Sequence, residues 1–350
     1  MTDSERFKAT ISGQRPERIL YTAGFTPDLH RRLVEHAGTE DLTGHYGLFA
    51  PAHVGLRPPP GYAKPEYSVY YAKDDLPEGT TLNDDGVAMR PAHFYHFWGY
   101  LSPLRNATSI KQIEDYPFSD RSDWLDEHMA GEVAAARAKG RVVTYSIGHM
   151  YETSWQIRGY EQFLIDMVER PSWAEAMLDK LFRRNMNMAR AAAKAGVDMI
   201  HCGDDVANQK AMMFSVPMWR HFMLSRWKQV WTLLRQARPD IQIHYHSDGN
   251  ISAVIPELRA AGVTILNPIQ PECMDPVALR RQYPDLNFDG TIGTQSTMPF
   301  GKPDDVRKAV KRMVEQVGGN GRLFLAPTHV LEPDVSIANF EAYVQAARES

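Results

Sequence analysis

Three residues in the second half of the chain, His246, Asp248 and His329, could together present two imidazoles and one carboxylate. That donor set suits Zn²⁺ or another divalent metal with open coordination positions. The same groups could serve without metal as general acid and base, because histidine titrates near neutrality. Each could also be a satisfied structural residue. In Ile241-Gln-Ile-His-Tyr-His246, alternation along a strand places Gln242, His244 and His246 on one side, and Asp248 shares that face if the chain stays extended. His244 and His201 read as structural.

Polar residues recur where apolar runs end. The clusters are Gly148-His-Met-Tyr-Glu152, His201-Cys-Gly-Asp-Asp205 with Asn208 and Gln209, His244 through Asn250, Asn267-Pro-Ile-Gln270, Gly293-Thr-Gln295 and Pro327-Thr-His329. In a barrel of parallel strands, the carboxyl ends carry the chemistry. Glu152 and Asp205 therefore join the catalytic candidates. Tyr151, His149, Asp204, Gln209, Asn267, Gln270 and Gln295 become candidates for substrate contact. Competing structural readings are helix capping for Asp204-Asp205 and a simple turn for Asp248-Gly249. The aromatic run Phe94 through Tyr100 reads more readily as core than as the wall of a pocket for a flat substrate.

The elements that must position these groups are legible from about residue 140 onward. Strands are expected at Val142–Ile147, Val197–Cys202, Ile241–His246, Val263–Asn267, Asn287–Ile292 and Arg322–Ala326, alternating with helical patterns. Ser172-Trp-Ala-Glu175 has the spacing of a capping box, with Gly196 as the stop of the same helix. Asp275-Pro276 reads as an N-cap followed by proline at the first helical position. Consecutive βα units without a glycine fingerprint favour a closed (β/α)₈ TIM barrel over a dinucleotide fold. The missing strands must lie in the first 140 residues, where Leu56 through Tyr62 and Asp84-Asp-Gly86 read as loops and turns.

Bulk properties narrow the function classes. The formal net charge is −4 and the 13 histidines are scattered, so no basic stripe exists for nucleic acid or anionic lipid. The opening MTDSERFKAT lacks a signal peptide's apolar core, and no apolar run approaches the ~18 residues of a membrane span, so a cytoplasmic location is expected. Cys202 and Cys273 are too few for a disulfide framework and lack thiolate-metal spacing.

His246-Ser-Asp-Gly-Asn250, Asn267-Pro-Ile-Gln-Pro271, Phe288-Asp-Gly-Thr-Ile292 with Gln295, Pro299 and Gly301, Gly318-Gly-Asn-Gly321, and Ala326-Pro-Thr-His329 through Asn339 resemble the uroporphyrinogen decarboxylase superfamily. The opening Glu5-Arg6 through Arg15-Pro-Glu-Arg18 is similar to that family's start. The resemblance implies one barrel domain over residues 1–350, with an elaborated region at 1–140 and clear βα units at 141–350. It also implies two main activities, which are cofactor-free decarboxylation of uroporphyrinogen and zinc-dependent methyl transfer involving a corrinoid protein or a thiol. The Arg-Gln-Ala-Gly-Arg-Tyr segment of the haem-pathway decarboxylases is absent from this chain. The methyltransferase branch binds zinc through His-x-Cys and a later Cys, and by position these correspond to His246, Asp248 and His329. With both thiolates replaced, polarising the oxygen of a methoxy compound suits the site better than activating a thiol.

The expectation is an O-demethylase-like methyltransferase that moves a methyl group from a small methoxylated compound, aromatic ethers among them, to a separate corrinoid protein. A cofactor-independent carboxy-lyase and a catalytically degenerate ligand-binding barrel stand as alternatives. A homodimer is implied by the resemblance alone.

Overall fold

The structure, a computed structural model, describes residues 1–91 and 98–350. Seven strands form one parallel sheet: β1 (Ala52–His53), β5 (Val143–His149), β6 (Met199–Gly203), β7 (Gln242–His246), β8 (Ile265–Asn267), β9 (Asn287–Asp289) and β10 (Leu323–Phe324), adjacent in that order. A short stretch at residues 19–22 bridges the two ends of this sheet. Leu325 N donates to Leu20 O at 2.9 Å, Thr22 N to Leu325 O at 3.0 Å and Phe49 N to Tyr21 O at 2.7 Å. The stretch thereby links the first and last strands of the sheet, as in an α/β barrel. A separate antiparallel sheet of β2 (Thr81–Leu82), β3 (Ala88–Pro91) and β4 (Trp98–Leu101) stands beside it, with the Asp84-Asp-Gly86 turn joining β2 to β3.

Alternation decides what each barrel strand buries. Ile200, Ile243, Tyr245, Leu266 and Phe288 are wholly buried and face the surrounding helices, the Tyr245 ring meeting Trp231 edge-on at 5.8 Å. The inward positions near the amino ends form a distinct apolar layer of Leu20, Phe49, Val142, Met199, Ile265 and Phe324. Phe7, on the first helix (Asp3–Ser12), packs into that layer from below.

Several boundaries shift from their sequence expectations for identifiable reasons. The helix expected to begin at Ser172 spans Pro171–Ala195, because proline takes the first helical position, and it ends at Gly196 with φ 80°. Asp275 accepts from the N–H groups of Val277 and Ala278, as an N-cap should. β9 stops at Asp289 because Gly290, at φ 70°, turns the chain, and Ile292 returns as a single parallel bridge to Pro327. Phe94–Phe97 of the aromatic run lie outside the described residues, while Trp98 and Tyr100 are partly exposed on β4.

Candidate active site

Register brings the carboxyl ends of four strands to one level. His149 pairs with Gly203, Gly203 with His246, and His246 with Asn267. The middle position admits only glycine, since a Cβ on Gly203 would lie 2.0 Å from the His246 carbonyl oxygen. The His149 and His246 rings meet edge-on at 6.2 Å. His246 Nδ1 lies 2.6 Å from Asn267 Oδ1, an acceptor, so Nδ1 is the donor and, in the neutral ring, Nε2 carries the lone pair. That nitrogen is 3.6 Å from Asp205 Oδ1.

Asp248 reaches the same point by a turn and not by strand extension. β7 ends at His246, and Ser247 N donates to Asn267 O at 2.9 Å. Gly249 then adopts φ 86° and donates to Gln270 Oε1 at 2.7 Å. A Cβ there would lie 2.6 Å from Asn208 O, so this turn also needs glycine. Asp248 N donates to Asp205 Oδ1 at 2.8 Å. Ligand-capable atoms of Asp205, His246 and Asp248 all fall within 4.8 Å of one another.

The electrostatics of this trio are compatible with a bound cation. Burial pushes the pKa of both Asp205 and Asp248 up, and Glu152 adds to it in each case while His246 opposes. Asp248 Oδ1 is buried without a hydrogen-bond partner. Two carboxylates and one imidazole nitrogen with a free lone pair fit Zn²⁺ or a similar divalent ion with open positions.

A second trio lies alongside, and its atoms are already committed. His149, Glu152 and Asp204 are equally close together. Asp204 is fully buried and accepts from the backbone N–H groups of Met150 (2.7 Å), Tyr151 (2.6 Å) and Glu152 (3.3 Å), and from Trp227 Nε1 (2.8 Å). It therefore anchors the start of the Tyr151–Arg158 helix through hydrogen bonds, although burial pushes its own pKa up to about 7. His149 Nδ1 stands 2.5 Å from Glu152 Oε2 as an ion pair, although not aligned as a hydrogen bond. Burial opposes the charge on His149, but Glu152, Asp204 and Asp205 outweigh it and raise its pKa to about 9. Burial likewise works against the Glu152 carboxylate, yet contact with His149 holds its pKa below the usual value. Glu152 Oε2 also accepts from Asp205 N at 3.3 Å, which ties the two trios together.

Above the metal-suited trio opens a cavity of about 400 Å³, lined by Asp205, Asp248, Gln270, Gln295 and His329. His329 is outside the 4.8 Å group but within its field, since burial first and His246 second lower its pKa. Gln209 Nε2 donates to Gln295 Oε1 at 2.6 Å across the rim. Tyr151 is buried behind the site against Phe163 and Phe214, with ring centroids at 5.9 and 5.2 Å. Thr294 and Glu332 also line the cavity and were not singled out by sequence. Thr294 sits inside the Gly293-Thr-Gln295 strand end, which was its available signal. Glu332 had none, because it follows His329 in an irregular segment.

Among the described residues, no helix is long and apolar enough to cross a membrane. A methyltransferase from Methanosarcina mazei has a similar structure, with TM-score 0.68, 15% sequence identity, and coverage of 100% of this chain and 99% of that one. A B12-independent methionine synthase from Shewanella sp. W3-18-1 aligns over 63% of this chain and 64% of its own, with TM-score 0.39 and 11% identity. At these identities the likeness to the first is one of fold. No curated protein matches the sequence. The uroporphyrinogen decarboxylase (URO-D) family model matches residues 149–350, the span that carries both trios and the cavity above them, and the chain belongs to that family.

Proposed function

We propose that this protein is a methyltransferase that takes the methyl group of a small methoxylated compound and passes it to a separate corrinoid protein. The observation that carries the choice is the charge of the cavity. Asp205, Asp248 and Glu332 line it, and no lysine or arginine does so among the described residues. A cavity without a cationic side chain offers no ion-pair partner to the carboxylates that a decarboxylase of this family must grip, and it accepts a neutral ether. The methyltransferase fold of the Methanosarcina mazei protein is in keeping with this reading.

In this reading Asp205, His246 and Asp248 hold a divalent metal such as Zn²⁺, which when bound supplies Lewis-acid polarisation of the ether oxygen. Asn267 fixes the His246 tautomer that leaves Nε2 unprotonated. Glu152 and its Asp205 contact hold the carboxylate in place, and the protonated His149 balances the local negative charge. His329, which lines the same cavity, would contact the ether or the departing oxygen.

The test is methyl transfer from guaiacol to free cob(I)alamin, followed by the absorbance of methylcobalamin, with metal content measured on the same protein. Expected results are zinc-dependent transfer, and loss of both metal and transfer in His246→Ala and Asp248→Ala. Full metal-free activity, or decarboxylation of an acid with no methyl transfer, would sink the proposal.

A further inference from the structure

Below the candidate active site, the barrel interior contains a second cavity of about 240 Å³ that shares no lining residue with the upper one. Its polar residues include Thr144, His201, His244 and Asp289, and its apolar wall includes Phe49 and Phe324. Barrel interiors are ordinarily filled by layers of bulky branched side chains, so a polar layer here is costly unless it meets a partner. Ser146, the next inward position above Thr144 on β5, is exposed, so space continues up the shaft.

The polar groups define what that partner can be. His244 Nε2 lies 2.8 Å from Asp289 Oδ2, which makes the carboxylate the acceptor of an imidazole N–H. The His201 ring lies tilted against that of His244, with centroids 4.5 Å apart, and no described residue hydrogen-bonds to it. Burial, reinforced by His244, His53 and His246, lowers its pKa well below the ordinary value, so it is neutral, with one donor and one acceptor nitrogen. The lining contains no lysine or arginine to receive an anion. A hydroxyl group both donates and accepts, and so satisfies a neutral imidazole beside a carboxylate. The aromatic wall suits a ring, and the volume exceeds the ~150 Å³ that accommodates benzene in an apolar cavity.

We propose that this lower cavity is a subsite for a neutral hydroxylated ring, a phenol, whose hydroxyl is received by His201 and the His244–Asp289 pair while the ring packs against Phe49 and Phe324. The inference deepens the methyl-transfer reading and rests on it for its biological sense, because demethylation of an aryl ether yields a phenol and methoxyphenols become the substrate class.

The experiment is calorimetric titration of the full chain with phenol, toluene and benzoate. Phenol should bind at least about tenfold more tightly than toluene, as one buried hydrogen bond provides, and benzoate more weakly than either. His201→Leu should lose the preference for phenol while still binding toluene, and His201→Gln, which keeps a donor and an acceptor, should retain part of it. Equal affinity for phenol and toluene, tightest binding of benzoate, or an unchanged preference in His201→Leu would overturn the inference. The phenol-to-toluene ratio of the unaltered protein decides the matter even if the leucine variant fails to fold. Methyl transfer measured on the same samples keeps the two readings apart. Phenol preference without transfer leaves the subsite standing and removes the methyltransferase, and transfer without preference does the reverse.

Discussion

Asp204 and Asp205 are joined by one peptide bond and have opposite surroundings. Asp204 has its acceptor capacity taken up by four N–H donors and sits at the start of a helix. Asp205 accepts one backbone N–H, from Asp248, and otherwise faces His246 and the Asp248 carboxylate, although burial raises the pKa of all three aspartates. Residue type and spacing are the same for both, so the difference lies in how many donors the fold supplies. A buried carboxylate satisfied by its own protein holds geometry. One left partly unsatisfied is available to a ligand.

Removing Asp204 should produce the largest effect. Asp204→Ala leaves four N–H groups without an acceptor and should cost about 3–5 kcal/mol in urea denaturation, with activity lost through the helix it positions. A variant as stable as the parent would erase the distinction between the two aspartates.

The opposite behaviour is expected on the other side. In metal-free protein, Asp248→Asn should be as stable as the parent or up to about 1 kcal/mol more so, since an amide is cheaper to bury than a carboxylate with an orphaned oxygen. Zinc affinity, measured by competition with a chromogenic chelator, should fall at least about tenfold. A large loss of stability with unchanged zinc binding would place Asp248 with Asp204.

His201 sharpens the comparison as a half-buried group with no hydrogen-bonding partner among the described residues. Its folded pKa is lowered, so below the ordinary value of 6.5 the unfolded chain binds a proton that the folded one refuses. Stability should therefore fall as pH drops from about 6.5, with a slope of at most about 1.4 kcal/mol per pH unit. Thermal melts between pH 7.5 and 5.5 should show a shallower dependence in His201→Leu. Identical slopes would mean that His201 is protonated in the folded state.

The second half of the barrel was readable because its strands are apolar runs bracketed by polar clusters, and the helices between them carry their own start and stop residues. The first half was not. β1 has two residues, and the closing stretch at 19–22 is defined by bonds to Leu325 and Phe49, partners that no local pattern encodes. The candidate site divides the same way. Alternation placed His246 on the inner face, and strand-end position singled out Asp205. How Asp248 arrives depended on Gly249 packing against Asn208, a long-range contact invisible to periodicity. Sequence position paired His329 with His246 and Asp248, whereas in space Asp205 is the nearer third group.

Phe7 lies 5.7 Å from the Phe324 ring and 6.5 Å from that of Phe49, wedged into the foot of the barrel. The first helix thus makes the barrel a cup and not a tube. In the methyl-transfer reading proposed above, the small methyl donor and the protein that accepts the methyl group would then both approach from the rim, at the end of the barrel away from Phe7. A bulky acceptor arriving first would bar the way in, and one arriving second would seal its cargo inside.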